Sequence, residues 1–224
     1  LGAQLQALLG ISAKYFPGLK VSYIPISPTQ GDYSPIVATA NQNSGFVMAT
    51  DAPTLVHFLQ TAKQQGVKKP TSISSVILLQ GNTVKQLGPL ATSLYSPGGF
   101  LPAADTSSKA VVKFNAAMNA VNKKASKDDF SEDAYLGVEL FADVAKGMKN
   151  VTGPAVAAKL DQLDGLSLGL LPPIQFTTPD KSFGPLDRIF NPDVVYMQIN
   201  KAGKALPTTG SFVNAFSGAN PTKP

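Results

Sequence analysis

The stretch GFVMATDAPTLVHFLQTAKQQG, residues 45–66, decides the fold class of this 224-residue chain. Its first part, GFVMAT, is an uncharged apolar run, which is typical of a buried strand. Asp51 then supplies an N-cap for a helix whose apolar residues share one face, and Gly66 is the glycine that commonly ends such a helix. A buried strand joined directly to a capped amphipathic helix predicts one unit of an α/β sheet.

The same alternation extends over the first 81 residues. Residues 19–26 (LKVSYIPI) and 74–81 (SSVILLQG) are apolar runs of strand length, and Ser34 with Pro35 has the form of an N-cap followed by proline at the first helical position. Residues 1–16 have apolar side chains at helical spacing without a cap or strand before them, so we expect preceding residues in the same domain. The three apolar runs predict neighbouring parallel strands with helices on the sheet faces.

A different pattern begins after a break rich in proline and glycine near residue 98. Helical spacing predicts helices over residues 106–125, 131–149 and 152–163, the last capped by Thr152 with Pro154 just inside it. Strands are predicted near residues 173–178 and at 194–199.

Composition excludes several classes of function. Lys and Arg total 19 against 14 acidic residues, a net charge of +5, but they are scattered, with adjacent pairs only at Lys68-Lys69 and Lys123-Lys124, whereas nucleic-acid surfaces concentrate them. Cysteine is absent and His57 is the one histidine, so cysteine- and histidine-rich metal sites are excluded. No phosphate-loop, dinucleotide or nucleophile-elbow motif occurs, and no apolar run approaches the roughly 20 residues that span a bilayer. We expect no nucleic acid, no metal and no cofactor.

Polar residues after the predicted strands are candidate ligand contacts, because ligands of open parallel sheets bind at the carboxyl ends of the strands. Thr50 and Asp51 follow one predicted strand, and Gln80, Gly81 and Asn82 follow another. Helix capping is the alternative role for Asp51.

Four acidic residues are crowded around the start of the predicted helix at 131–149: Asp128, Asp129, Glu132 and Asp133. Paired carboxylates perform acid–base chemistry only when they are held close together and partly desolvated. Negative charge is also stabilised at a helix N-terminus by the helix dipole, and we interpret the four as capping residues. Phe130, just before this helix, is a candidate for lining a cleft.

The order of these motifs resembles that of type I periplasmic substrate-binding proteins of ABC transporters, of the branched-chain amino-acid-binding kind. The resemblance covers the C-terminal two-thirds of such a protein. It is carried by PGLKVSYIPISPTQGDYSPIVA from residue 17, FVMATD from 46, PTLVHFLQTAKQQGV from 53, FSEDAYLGVELFADVAKGM from 130 and VVYMQINKAGK from 194.

This resemblance implies an α/β fold of two lobes, with parallel sheets flanked by helices, hinge crossovers and a ligand between the lobes. Residues 1–98 would be a segment of the second lobe. Residues 99–168 would return, mainly as helices, to a first lobe that is incomplete in this chain. Residues 169–224 would cross back to the second lobe with closing strands and a loose tail.

The resemblance also implies roles for the candidate residues. Thr50 and Asp51 match a strand-end ligand contact, and Phe130 matches an aromatic wall residue. The loop from Gln80 to Thr83 matches the region where amino-acid binders place an acid for the ligand ammonium group, but this loop contains no acid. Loss of that charge-assisted bond favours a neutral or carboxylate-bearing molecule over an α-amino acid.

Three functions are compatible with the sequence. The first is a non-enzymatic solute receptor, periplasmic or extracellular, made with a signal peptide and in some cases lipid-anchored. It would deliver a small molecule (amino-acid-like, a carboxylate or an aromatic acid) to an ABC-transporter permease by cleft closure. The alternatives are an α/β enzyme with catalytic residues in a preceding part, or a ligand-sensing domain of a regulator.

Overall fold

A computed structural model describes residues 16–27, 29–79, 82–180, 189–208, 210 and 212–215. Within these ranges the helices are α1 (Ser34–Ala40), α2 (Ala52–Gln64), α3 (Thr83–Leu87), α4 (Lys109–Val121), α5 (Asp129–Ala145) and α6 (Gly153–Leu160). The strands are β1 (Phe46–Met48), β2 (Thr71–Ile73), β3 (Leu94–Gly98), β4 (Asp193–Ile199), β5 (Ala205–Pro207) and β6 (Val213–Asn214). Short 3₁₀ helices occupy Val76–Leu79 and Gly88–Ser93. The amphipathic helix predicted for residues 1–16 lies outside the described residues except at Phe16.

The chain divides into two compact units. Unit 1 comprises Leu1–Pro97 and Met197–Ala205, and unit 2 comprises Gly98–Tyr196 and Leu206–Pro224. The assignment of chain segments to the two lobes of a binding protein stays a prediction.

Parallel pairing organises the strands of the first hundred residues. The rows of neighbouring residues across β1, β2 and β3 are Phe46–Thr71–Leu94 and Val47–Ser72–Tyr95. The strand order is β1-β2-β3-β4-β5, and β6 pairs with β4 in the antiparallel sense. A parallel sheet is present, as predicted, but of the three apolar runs predicted as its strands only residues 45–50 form a strand in the predicted place, as β1. The strand predicted at 194–199 is confirmed as β4.

The prediction that residues 19–26 form a strand is wrong. They have no strand pairing, although Ile24 and Ile26 pack against the buried cluster of unit 1. Pro25 between them has no N–H to donate to a ladder. Only Ile24 and Ile26 are partly buried, whereas Leu19, Val21 and Tyr23 are exposed, so the segment lies outside the sheet with most of its surface in solvent.

The strand predicted at residues 74–81 is also wrong in its position. The strand lies earlier, as β2, and Val76–Leu79 form a 3₁₀ helix. A short apolar run is compatible with a buried strand or a short helix, and periodicity alone does not separate them. Near residues 173–178 the structure has an isolated antiparallel bridge between Leu166 and Ile174 in place of the predicted strand.

Both ends of α2 are as predicted. The Asp51 carboxylate accepts a hydrogen bond from the Thr54 N–H at 2.8 Å. At the other end Gly66 has a φ of 71°, and the Val67 N–H donates to the Ala62 carbonyl at 2.9 Å. This is the glycine-dependent closing turn that satisfies the last carbonyl groups of a helix.

The predicted cap of α1 needs a correction. Ser34 is the first helical residue and Tyr33 occupies the N-cap position without a side-chain bond. The capping group is one residue earlier, because the Ser34 N–H donates to the Asp32 carboxylate at 2.8 Å. This bond holds the pKa of Asp32 below its usual range.

Each unit has its own buried cluster. In unit 1, α1 and α2 bury Val37, Leu55 and Phe58 against Ile73 and Leu94 of the sheet. In unit 2 the cluster consists of Val111, Phe114, Leu136 and Leu170, with partly buried apolar residues around it. An edge-to-face contact between Phe114 and Tyr135, 5.3 Å between ring centroids, joins α4 to α5.

Candidate functional site

The carboxyl ends of β1 and β2 lie side by side in unit 1. The Ser74 N–H, just after β2, donates to the Met48 carbonyl at the end of β1 at 3.0 Å. Thr50 follows β1 and is partly buried, whereas Ser74 is exposed. Sequence analysis missed Ser74 because it placed that residue inside a strand. This edge is where an open parallel sheet presents polar groups to a ligand.

Asp51 stands at the same edge, with its side chain exposed. One carboxylate oxygen is used by the Thr54 N–H, as capping requires. The predicted capping role is therefore confirmed, and the predicted ligand role stays a prediction.

The second predicted loop is described only in part. Gln80 and Gly81 lie outside the described residues. Asn82 is exposed at the N-cap position of α3, and its side chain forms no capping hydrogen bond. Asn82 and Thr50 belong to the same unit.

Phe130 lies in the first turn of α5, in unit 2, and its side chain is 72% exposed. Exposure of this size leaves a large aromatic surface free to contact a ligand or another part of the protein.

The acidic residues at the start of α5 have two different environments. Asp128 is the N-cap, and its Oδ1 accepts hydrogen bonds from the Ser131 N–H and hydroxyl, both at 2.9 Å. Glu132 is instead 1% exposed. Burial raises the pKa of Glu132 to about 8, and repulsion from Asp129 and Asp128 adds to the rise.

The capping interpretation of the sequence is confirmed for Asp128 and wrong for Glu132. A local signal for its burial was present: Glu132 precedes Tyr135 and Leu136 by three and four residues. Positions with this spacing share one face of a helix. Leu136 belongs to the buried cluster of unit 2.

Unit 2 contains a cavity of about 570 Å³ with hydroxyl groups in its wall. Ser108 there caps α4 through its Oγ, which accepts from the Val111 N–H at 3.4 Å. Asp105 Oδ1 accepts from the Ser107 hydroxyl at 2.5 Å. Sequence analysis did not predict this cavity, because its walls come from chain segments about a hundred residues apart: Leu101, Asp105, Ser107, Ser108, Leu206, Pro207, Thr208 and Gly210.

The histidine and the carboxylates form no metal centre in the described part of the chain. His57 is exposed, and its ring centroid lies 5.8 Å from that of Tyr33. Among the described residues, no three or more histidine, aspartate or glutamate side chains are grouped to hold a metal ion. None of the helices in the described ranges is long and apolar enough to pass through a membrane.

Comparison with known proteins gives one matching family. A family model described as a periplasmic binding protein matches residues 2–204. No match is found among curated protein sequences.

Several solved structures are similar to the chain. One is a fatty acid ABC transporter substrate-binding protein from Thermomonospora curvata, with 19% identity and a TM-score of 0.72 over 96% of this chain and 54% of that chain. A leucine-, isoleucine-, valine-, threonine- and alanine-binding protein from Brucella ovis, in a closed conformation, has 16% identity and a TM-score of 0.73 over 98% and 56%. A branched-chain amino acid ABC transporter from Thermus thermophilus with bound valine has 15% identity and a TM-score of 0.64 over 86% and 52%.

The chain thus spans about half the length of these solved proteins. At identities this low, the likeness is one of fold, and it confirms the predicted α/β fold of the type I periplasmic binding proteins. The family model covers nearly the whole sequence, up to residue 204 of 224. The chain belongs to the periplasmic binding protein family.

Proposed function

We propose that this protein is the solute-binding component of an ABC transporter, periplasmic or extracellular, and that it delivers a small molecule to a membrane permease by cleft closure. The match of residues 2–204 to the periplasmic binding protein family is the observation that carries the proposal. The similar solved structures include substrate-binding proteins of ABC transporters. A signal peptide in the precursor and a lipid anchor are further predictions of the same proposal.

The ligand contacts that we propose begin at the carboxyl edge of β1 and β2. Thr50 is partly buried there. In ligand sites a small number of partly buried polar groups, hydroxyl groups among them, fix the orientation of the ligand. Asp51 and Asn82 are exposed polar residues of the same unit. Gln80 and Gly81 keep their predicted role as contacts, and Phe130 keeps its role as an aromatic wall.

We further propose a carboxylate-bearing or aromatic-acid ligand, or an amino-acid-like molecule held without a strong ammonium contact. The loop from Gln80 to Thr83 contains no acid. A ligand ammonium group would therefore gain no charge-assisted hydrogen bond from this loop. The similar protein from Thermomonospora curvata is described as a fatty acid ABC transporter substrate-binding protein, and fatty acids carry a carboxylate.

Replacing Thr50 by valine should weaken ligand binding by about tenfold or more, because a polar ligand group would lose its partner in a desolvated site. Calorimetric titration of the full-length protein with amino acids, fatty acids and aromatic acids would first identify the ligand and then measure the variant. Thr39→Val is the matched control, since the Thr39 hydroxyl is exposed and bonds to the Pro35 carbonyl of its own helix. Equal affinities for the two variants would contradict the assignment of Thr50.

Asp51→Asn separates the two roles of Asp51. Asparagine caps a helix about as well as aspartate, so this variant should keep its stability while any effect on binding reports a ligand contact.

Recovery of the ligand chemically unchanged after incubation would support a receptor, and its conversion would support the enzyme alternative. Failure of every solute class to bind would contradict the proposed function.

A further inference from the structure

Glu132 is a buried carboxyl group that the proposed function does not use. Its side chain is 1% exposed, and its Oε1 accepts no hydrogen bond from the protein. It lies in the first turn of α5, one turn before Leu136, which is buried with Phe114 and Leu170. An ionised carboxylate in such surroundings carries a large desolvation penalty.

The charged groups around Glu132 do not offset this penalty. Asp129 and Asp128, on the same stretch of chain, repel a carboxylate and raise its pKa further after the effect of burial. On the adjacent helix α4, Lys113 is already bound to Glu139, with Nζ and Oε2 2.8 Å apart. Glu139 is seven residues, or about two helical turns, beyond Glu132. Within the described ranges no cation forms an ion pair with Glu132.

Other polar groups of unit 2 also give Glu132 no compensating charge. The Tyr135 hydroxyl, one turn along α5, interacts with the Lys113–Glu139 pair and contributes to the pKa shift of both groups. The Asp105 carboxylate, in the segment before α4, accepts hydrogen bonds from the hydroxyl and the N–H of Ser107. Neither group is a cation that would stabilise the ionised form.

We propose that Glu132 is a proton-operated latch of unit 2. The neutral carboxyl stays packed beside the apolar cluster, and loss of its proton drives it towards water and loosens the first turn of α5. Phe130 is two residues away in that turn, so its position changes with the latch. The proposal concerns the stability of unit 2 and does not require the proposed solute.

The direction of the pH dependence follows from the two protonation states. The pKa of Glu132 is about 8 in the folded chain against a reference value of 4.5, so between these values the folded state binds the proton more tightly than the unfolded state. The free energy of unfolding therefore falls as pH rises through this window and levels off above it. Below the reference pKa the full contribution is present.

A direct test uses the small number of glutamates, since Glu132 and Glu139 are the two in the sequence. Selective ¹³C labelling of glutamate gives two side-chain carboxyl signals, which E132Q assigns. Glu139 is the internal control, because its hydrogen bond with Lys113 lowers its pKa. We expect one titration midpoint near 8 and one below 4.5. Two midpoints below about 5 would overturn the proposal.

A second test measures stability in urea from pH 5 to pH 9. The wild-type unfolding equilibrium constant should increase by more than about a hundredfold over this range, since each pKa unit of difference is a factor of ten. E132Q, which stays neutral, should show none of this rise, and E139Q should retain it. The amide signals of Phe130 and Ser131 should follow the Glu132 midpoint in the wild type only. If the unfolding equilibrium constant of E132Q rises with pH as steeply as that of the wild type, the proposed role of Glu132 is wrong.

Discussion

Replacing Phe114 by alanine should lower the free energy of unfolding of unit 2 by about 3–5 kcal/mol. Phe114 is fully buried, and it is the largest member of a cluster with Val111, Leu136 and Leu170. Its ring also forms the edge-to-face contact with Tyr135 that holds α4 against α5. Truncation to alanine removes the buried ring and leaves a cavity that the surrounding side chains fill only in part, so the loss of apolar burial and the cavity both lower stability.

Urea denaturation followed by circular dichroism and tyrosine fluorescence would measure the loss, since the chain has no tryptophan. Val112→Ala is the control on the same helix. Val112 is 49% exposed, so its truncation should change the free energy of unfolding by about 0.5 kcal/mol or less. A Phe114→Ala effect as small as that of the control would contradict the described core of unit 2.

Gly169→Ala should lower the free energy of unfolding by about 2–4 kcal/mol, by two separate mechanisms. Gly169 has a φ of 84°, which costs an L-residue about 1–2 kcal/mol. A Cβ at this position would also stand 2.7 Å from the Cβ of Ala110 on α4, and overpacking of this kind costs about 1–3 kcal/mol. The next residue, Leu170, is in the buried cluster, so a shift at Gly169 disturbs the core directly.

Two further variants separate these mechanisms. Gly165→Ala is the control for backbone strain, since Gly165 also has a positive φ but its Cβ would meet nothing within 4 Å. Ala110→Gly should restore part of the stability of Gly169→Ala by removing the clash. A double-mutant cycle over Ala110 and Gly169 measures that coupling in urea denaturation. No coupling between the two positions would contradict the close approach.

The ends of helices were predictable from the sequence because each depends on neighbours within one turn. Asp51 and Thr152 were assigned as caps, and each accepts a hydrogen bond from the N–H three residues later. Gly66 was assigned as a helix terminator, and it has the positive φ that this role requires. At α1 the predicted capping residue was wrong by two positions, because the capping carboxylate belongs to Asp32 and not to Ser34.

Strand positions and burial of charge were harder to predict because they depend on distant partners. Residues 19–26 have the apolar content of a strand but no strand pairing, and the strand predicted at 74–81 lies earlier, at Thr71–Ile73. Thr50 was selected from its place after a predicted strand, and the parallel β1–β2 pair supports that place. Gln80 and Gly81 of the other predicted loop lie outside the described residues.

The amino-acid sequence alone was enough to predict the α/β class, the presence of the main helices and the caps at Asp51, Thr152 and Gly66. These features depend on local hydrogen bonds and on apolar periodicity, both of which are contained in short segments. Two features required the three-dimensional structure: Glu132 is buried and forms no ion pair with any described residue, and Gly169 lies against Ala110. Burial and close contact are set by which segments pack together, and the free energy of a charged or crowded group depends on those distant neighbours.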